Sequence, residues 1–225
     1  DRADTLRSCD QHRYEGRRQD AQQCYRDRLE QASGLEQADA AAALGDIRQA
    51  NRLYRELAAD STDPAIKTHW ANLYLQTHQV SDSEALFREA LLYDPSWLPA
   101  RIGLAKAMSE GFEGQAREAL RQIINEYPDN VEALLRLARI ELELQNLDEA
   151  RGLLDRALAN IDDQALPPLE IYALHAGANL LENKSMKVWT DRALRYNPEY
   201  GDIHAIPAHF YIITYRYREA VDLYQ

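Results

Sequence analysis

A small residue, a large one four positions on and a small or apolar one three beyond that recur along the chain, and residues at these spacings share one face of a helix. Ala21/Tyr25/Arg28, Ala50/Tyr54/Leu57, Ser83/Phe87/Ala90, Ala116/Leu120/Ile123, Ala150/Leu154/Ala157 and Met186/Thr190/Ala193 fit the pattern, and Ala220/Tyr224 opens a seventh set. The leading residues stand 29, 33, 33, 34, 36 and 34 positions apart. An interval near 34 marks a repeat, because each short segment can bury its apolar face only against its neighbours. Proline keeps the same phase: Pro95, Pro128 and Pro198 each lie twelve residues after a leading residue, where a helix can end. Turn signals precede the leading residues at Gly16, Leu44-Gly45-Asp46, Ser81-Asp82, Gly111 with Gly114, Asn146, Asn183-Lys184-Ser185 and Tyr215-Arg216. Each unit is therefore predicted to be two helices and a tight turn.

The predicted helix pairs are 2–14/17–32, 34–44/46–59, 64–78/81–93, 98–110/113–126, 131–145/147–160, 167–182/185–196 and 201–214/216–225. Ser33 with Glu36 and Ser81 with Glu84 have the spacing of a capping box, and Asn130 is placed to cap the helix opened by Val131. The approximate units are 1–32, 33–62, 63–96, 97–129, 130–163, 164–199 and 200–225, forming one segment over 1–225 that is cut in its seventh pair. Ending at Gln225 in mid-helix predicts a fragment of a larger protein.

Composition narrows the class. With 45% hydrophobic and 28% charged residues, 9 Gly and 8 Pro in 225 residues, the chain reads as a folded all-α protein. No run of 18 apolar residues occurs, so no membrane span is expected. Lys+Arg 26 against Asp+Glu 37 gives a net charge of −11, which disfavours nucleic acid as a partner.

The chain resembles the tetratricopeptide repeat. Leu134, Leu137, Ala138, Leu147, Ala150, Leu154 and Ala157 match its pattern in the fifth unit, and Ala208, Tyr211, Tyr217, Ala220 and Tyr224 match it in the seventh. The fifth unit departs by carrying Asp162 where proline is usual, and the seventh places Pro207 inside its first helix, where a kink is expected. The resemblance implies a right-handed superhelical solenoid of about seven stacked antiparallel helix pairs. Its concave face, lined by first helices, would bind a protein or extended peptide, with no enzyme activity and no cofactor. A second resemblance, carried by Ala43–Asn51, Asn197–Asp202, Ala208-His209-Phe210 and Arg216–Ala220, is to the repeat region of bacterial proteins ending in a gluzincin-type zinc peptidase domain. It implies, as the alternative, a substrate-selecting or scaffolding arm whose zinc ligands lie beyond residue 225.

Candidate binding positions follow from phase. On the first helix of the third unit they are Thr68, His69, Asn72 and Gln76, and on that of the fifth Glu132, Leu135, Arg136, Arg139 and Glu143. Asn72 matches one position of the family's carboxylate-gripping members, but Thr68 stands where lysine would be needed. Arg136 and Arg139 suit a bidentate grip on an acidic or C-terminal group, or else a charge pair with Glu132 or Glu143 on their own helix. His175 and His209 fall at one phase of successive first helices beside Tyr172, either as solvated groove residues or as ligand contacts. Tyr25, Tyr54, Phe87 and Tyr224 are assigned to the core, while Trp97 and Tyr200 are expected to be partly exposed. No HExxH, CxxC or phosphate-binding glycine loop is present. Cys9 and Cys24 are read either as two free buried thiols in a reducing cytosol or as an interhelical disulfide in an exported, periplasmic protein.

Overall fold

The computed structural model describes residues 3–109, 111–161 and 166–223, with side chains from residue 9 onward. Among the described residues every element is helical. The helices pair in chain order: α1 (Ala3–Tyr14) with α2 (Arg18–Gln31), α3 (Leu35–Ala43) with α4 (Ile47–Ala59), α5 (Pro64–Gln76) with α6 (Val80–Tyr93), and α7 (Leu98–Met108) followed by α8 (Glu113–Glu126). Then come α9 (Val131–Glu143) with α10 (Leu147–Ala159), α11 (Glu170–Leu181) with α12 (Lys187–Tyr196), and α13 (Asp202–Ile213) with α14 (Tyr217–Asp222). These spans lie within about three residues of those the periodicity predicts. Asp162, Tyr224 and Gln225, and the expectations attached to them, lie outside the described residues.

The helix starts are fixed by local chemistry, though not always where the capping pattern puts it. Asn130 caps α9, its side chain accepting from the Ala133 N–H at 2.8 Å. Asp46 and Asp63 do the same for α4 and α5, accepting from Gln49 and Ala65 at 3.0 and 2.9 Å. Neither capping box forms. Gly34, at φ 67°, takes the N-cap of α3, and Glu36 pairs instead with Arg28 at 3.2 Å. Helix α6 begins at Val80 with Gln79 before it, so Ser81 and Asp82 lie inside the helix and Glu84 pairs with Arg88 at 2.7 Å. Met186 precedes α12 as its N-cap residue, and the helix buries Ala193 instead. Helix α13 runs through Pro207, which removes one donor from its ladder.

Six hairpin turns share one backbone solution. Gly16, Gly45, His78, Gln145, Asn183 and Tyr215 all have φ between 57° and 79°, in the left-handed region. In each case the next residue's N–H returns to the carbonyl five positions back: Arg17 to His12, Asp46 to Ala41, Gln79 to Tyr74, Asn146 to Glu141, Lys184 to Asn179 and Arg216 to Tyr211, all at 2.8–3.0 Å. This is the Schellman closure, which satisfies carbonyls that a helix end leaves open.

The chain divides into two compact units, residues 1–116 and 117–225. Within the first, each helix from α1 to α7 packs on the next, and the first helices α3, α5 and α7 also touch in succession. Tyr25, Tyr54 and Phe87 are core residues, at most 3% exposed. Phe87 enters a socket made by Gly103 of α7, where a Cβ would lie 2.3 Å from its ring. Within the second unit α9, α11 and α13 touch as well, with Phe210 seated against Gly177. Trp97 and Tyr200 are partly exposed.

Candidate functional site

In the first unit, an aspartate stands fifteen residues before each large aromatic of the second helix: Asp10 before Tyr25, and Asp39 before Tyr54. The spacing brings facing positions of one hairpin together. The Tyr25 hydroxyl donates to Asp10 Oδ1 at 2.5 Å and the Tyr54 hydroxyl to Asp39 Oδ1 at 2.7 Å. Burial is the main reason both phenols titrate well above their ordinary range, so they remain donors at any physiological pH. In the third pair the same positions hold Asn72 and Phe87, and with no hydroxyl to bind, Asn72 is exposed.

His69 lies one turn before Asn72 on α5, with Nδ1 2.8 Å from Asp39 Oδ1, and this hydrogen bond raises its pKa. Arg13 pairs with Asp10 at 3.2 Å. Together with Gln76 these groups line a cleft of about 270 Å³ built on α1, α3 and α5, three consecutive first helices. His69 and Asn72 thus stand in one cleft, as their phase predicts. Thr68 does not: it is 2% exposed, its hydroxyl donating to the Pro64 carbonyl at 2.7 Å and accepting from Trp97 Nε1 at 3.1 Å. Asp10, Asp39 and the two tyrosine hydroxyls were not legible as cleft groups from single-helix phase. The signal that finds them is the aspartate–tyrosine pair repeating after 29 residues.

In the second unit, ion pairs occupy the corresponding face. Arg136 makes a two-pronged contact with Glu170 at 3.0 and 2.8 Å, which joins α9 to α11. Its partner is therefore on the next first helix, not on its own as expected. Arg139 does pair within its helix, with Glu143 at 3.3 Å, and also lies 3.5 Å from Glu170. His209 Nε2 is 3.7 Å from Glu143 Oε1 and remains partly open to solvent. Leu135 is buried.

His175 is not a groove residue: it is 0% exposed, stacked at 4.0 Å on Trp189 of α12. Tyr172, 6% exposed, stacks on Trp189 and Tyr196, so it too leaves the open face. Helix α11 is covered from several sides, by α9, α10, α12 and α13, which is why its first-helix phase does not confer exposure. Neither ring nitrogen of His175 has a partner in hydrogen-bond geometry. Burial brings its pKa from 6.5 down to about 4, with the Asp155 charge opposing the shift and the Arg151 charge adding to it.

A stability effect follows from this depression. The unfolded ring takes up a proton below pH 6.5 and the folded ring only near pH 4, so stability is retained at neutral pH and lost as pH falls through that window. At 1.36 kcal/mol per pH unit the loss is about 3 kcal/mol. Urea midpoints at pH 7 and pH 4.5 should show it in the wild type, and His175→Leu should remove most of the difference. An equal acid loss in the variant would assign it to other groups.

Cys9 and Cys24 form a disulfide that joins α1 to α2, with Cα atoms 5.4 Å apart. Among the described residues no three His, Cys, Asp or Glu side chains stand close enough to hold a metal ion, and no helix is long and apolar enough to cross a membrane.

Comparison with known proteins places this architecture. A tetratricopeptide-repeat family model matches residues 107–166. A search of the curated proteins gave no match. Among solved structures, TTC0263, a thermophilic tetratricopeptide-repeat protein of Thermus thermophilus, is 21% identical, covers 79% of this chain and 97% of its own, and superposes with a TM-score of 0.66. A tetratricopeptide-repeat protein from Parabacteroides merdae is 16% identical, with 88% of this chain and 77% of its own covered and a TM-score of 0.54. Residues 107–166 thus match a tetratricopeptide repeat, and the chain shares its all-helical fold with these two tetratricopeptide-repeat structures.

Proposed function

We propose that the chain is a non-enzymatic protein-binding scaffold segment that holds an extended partner on the first-helix face of residues 1–116. The fold supports a protein-interaction scaffold in general. The observation that carries the finer reading is the cleft along α1, α3 and α5, whose polar groups are preorganised by buried tyrosine hydroxyls. Fixed donors and acceptors along consecutive helices suit a peptide in extended form, and preorganisation lowers the ordering cost of binding. On the first helices of residues 117–223, Arg136, Arg139, Glu170 and Glu143 already pair with one another, so a ligand there would have to displace existing pairs.

Panning a displayed random-peptide library on the whole chain tests this. Recovered peptides should lose about tenfold or more in affinity on Asp39→Asn or Asn72→Ala, consistent with about 1.5–3 kcal/mol for a hydrogen bond to a charged group. Arg136→Ala/Arg139→Ala should leave them unchanged. The reverse pattern would overturn the assignment and move the site to α9 and α11.

The disulfide supports folding in an oxidising compartment, and with it the second reading, an arm of an exported zinc peptidase. An HExxH helix encoded downstream of residue 225 would support that reading, and a parent gene without one would remove it.

A further inference from the structure

We infer that the Cys9–Cys24 disulfide is a latch on the cleft: it holds α1 in place so that Asp10 and Arg13 form one wall, and reduction by a dithiol releases them. The inference rests on reading that cleft as the binding face. The bridging cysteines immediately precede the hydrogen-bonded pair, Cys9 before Asp10 and Cys24 before Tyr25, so the covalent link and the cleft contact are adjacent rungs of one hairpin.

The second hairpin shows what the bridge replaces. Its corresponding positions, 29 residues on, are Ala38 and Leu53, and both belong to a broad apolar cluster with Ala41, Ala50, Tyr54 and Leu73. Under the first hairpin the buried members of the cluster, among the described residues, are Cys9, Ala21 and Tyr25, with Cys24 and Leu44 packed at the edge. The bridge thus stands in the first hairpin where the apolar pair Ala38 and Leu53 stands in the second.

The two sulfurs also differ in access. Cys9 is fully buried, whereas Cys24 is only partly so and borders a separate recess lined by His12, Asp20, Gln23, Asp27 and Arg28. A reductant of the thioredoxin class, bearing two thiols, can enter there. Its thiolate attacks Cys24 Sγ, the Sγ–Sγ bond breaks, and Cys9 leaves as the thiolate. The second thiol of the reductant then displaces Cys24. The reductant departs as its own disulfide, having given up two electrons, and its two protons end on Cys9 and Cys24 as thiols.

Hydrogen exchange read by mass spectrometry on the whole chain, with and without dithiothreitol at pH 7, tests the latch. Full reduction, checked by alkylating the thiols, should speed exchange of the α1 amides about 100-fold, the factor expected from opening a link that closes a loop of this length. Amides of α3 to α5 should be unaffected. Cys9→Ala/Cys24→Leu, which copies the pair of the second hairpin, should ignore dithiothreitol. The latch is overturned if α1 exchanges at one rate before and after reduction, or if reductant changes the double variant as much as the wild type. With a peptide recovered by panning, reduction should weaken binding to the wild type and leave the double variant unchanged; binding that persists while α1 loosens also overturns the latch. Should panning yield no cleft peptide, the binding-face reading fails, while the exchange experiment still decides whether the bridge holds α1.

Discussion

Replacing Glu141 by alanine is expected to destabilise residues 117–223 by about 3–5 kcal/mol, the cost of removing the counter-charge from a buried ion pair. Glu141 lies on α9 and is 0% exposed. Arg117 meets its two oxygens at 2.5 and 2.8 Å, Arg121 approaches at 3.4 Å, and Asn146 donates its amide at 2.7 Å. One carboxylate therefore ties α8, α9 and the turn into α10. Arg121 has a closer partner in Glu149 at 2.8 Å, whereas Arg117 reaches Glu149 only at 3.5 Å, so the alanine variant costs Arg117 more, by taking away its two-pronged contact. Because the damage lies in breaking the pair and not in lacking it, Arg117→Met/Glu141→Leu should regain a large part of the loss. Urea unfolding of the two variants decides the point. If the double variant is as unstable as Glu141→Ala, the carboxylate's worth lies in its hydrogen bond from Asn146.

The second large effect concerns the Phe87–Gly103 socket. Truncating Phe87 to alanine should cost about 3–5 kcal/mol in residues 3–116, as expected for deleting a buried aromatic ring. Gly103→Ala attacks the same contact from the other side: its Cβ would stand 2.3 Å from the ring, so ring or helix must move, at about 1–3 kcal/mol. The two changes are not additive. Phe87→Leu/Gly103→Ala, which trades volume across the contact, should be more stable than the sum of its single variants predicts. Thermal unfolding of the four proteins measures the coupling, and simple additivity would mean that the socket does not govern the site.

The repeat was legible because apolar spacing follows from burial, and burial is what a stacked hairpin must achieve. Ala21, Ala50, Ser83, Ala150 and Ala220 are all nearly or fully buried, as leading small residues should be. What escaped the sequence was anything set by a neighbour. Ser81 has good capping chemistry, yet the hairpin closes at His78 and Gln79 and leaves it inside α6. His175 has groove phase, yet Trp189 covers it. Arg136 has acidic neighbours on its own helix, yet Glu170 offers a two-pronged partner on the next. Asn72 and His69 could be placed because their surroundings follow the plain repeat, whereas the aspartates beside them required comparing two hairpins at once.

The left-handed turns are a main-chain device. Their closing bond runs between peptide groups alone, so one path of the backbone is built with glycine, histidine, glutamine, asparagine or tyrosine at the bend. A substitution at any of these bends that keeps φ positive therefore leaves the closure of the hairpin in place.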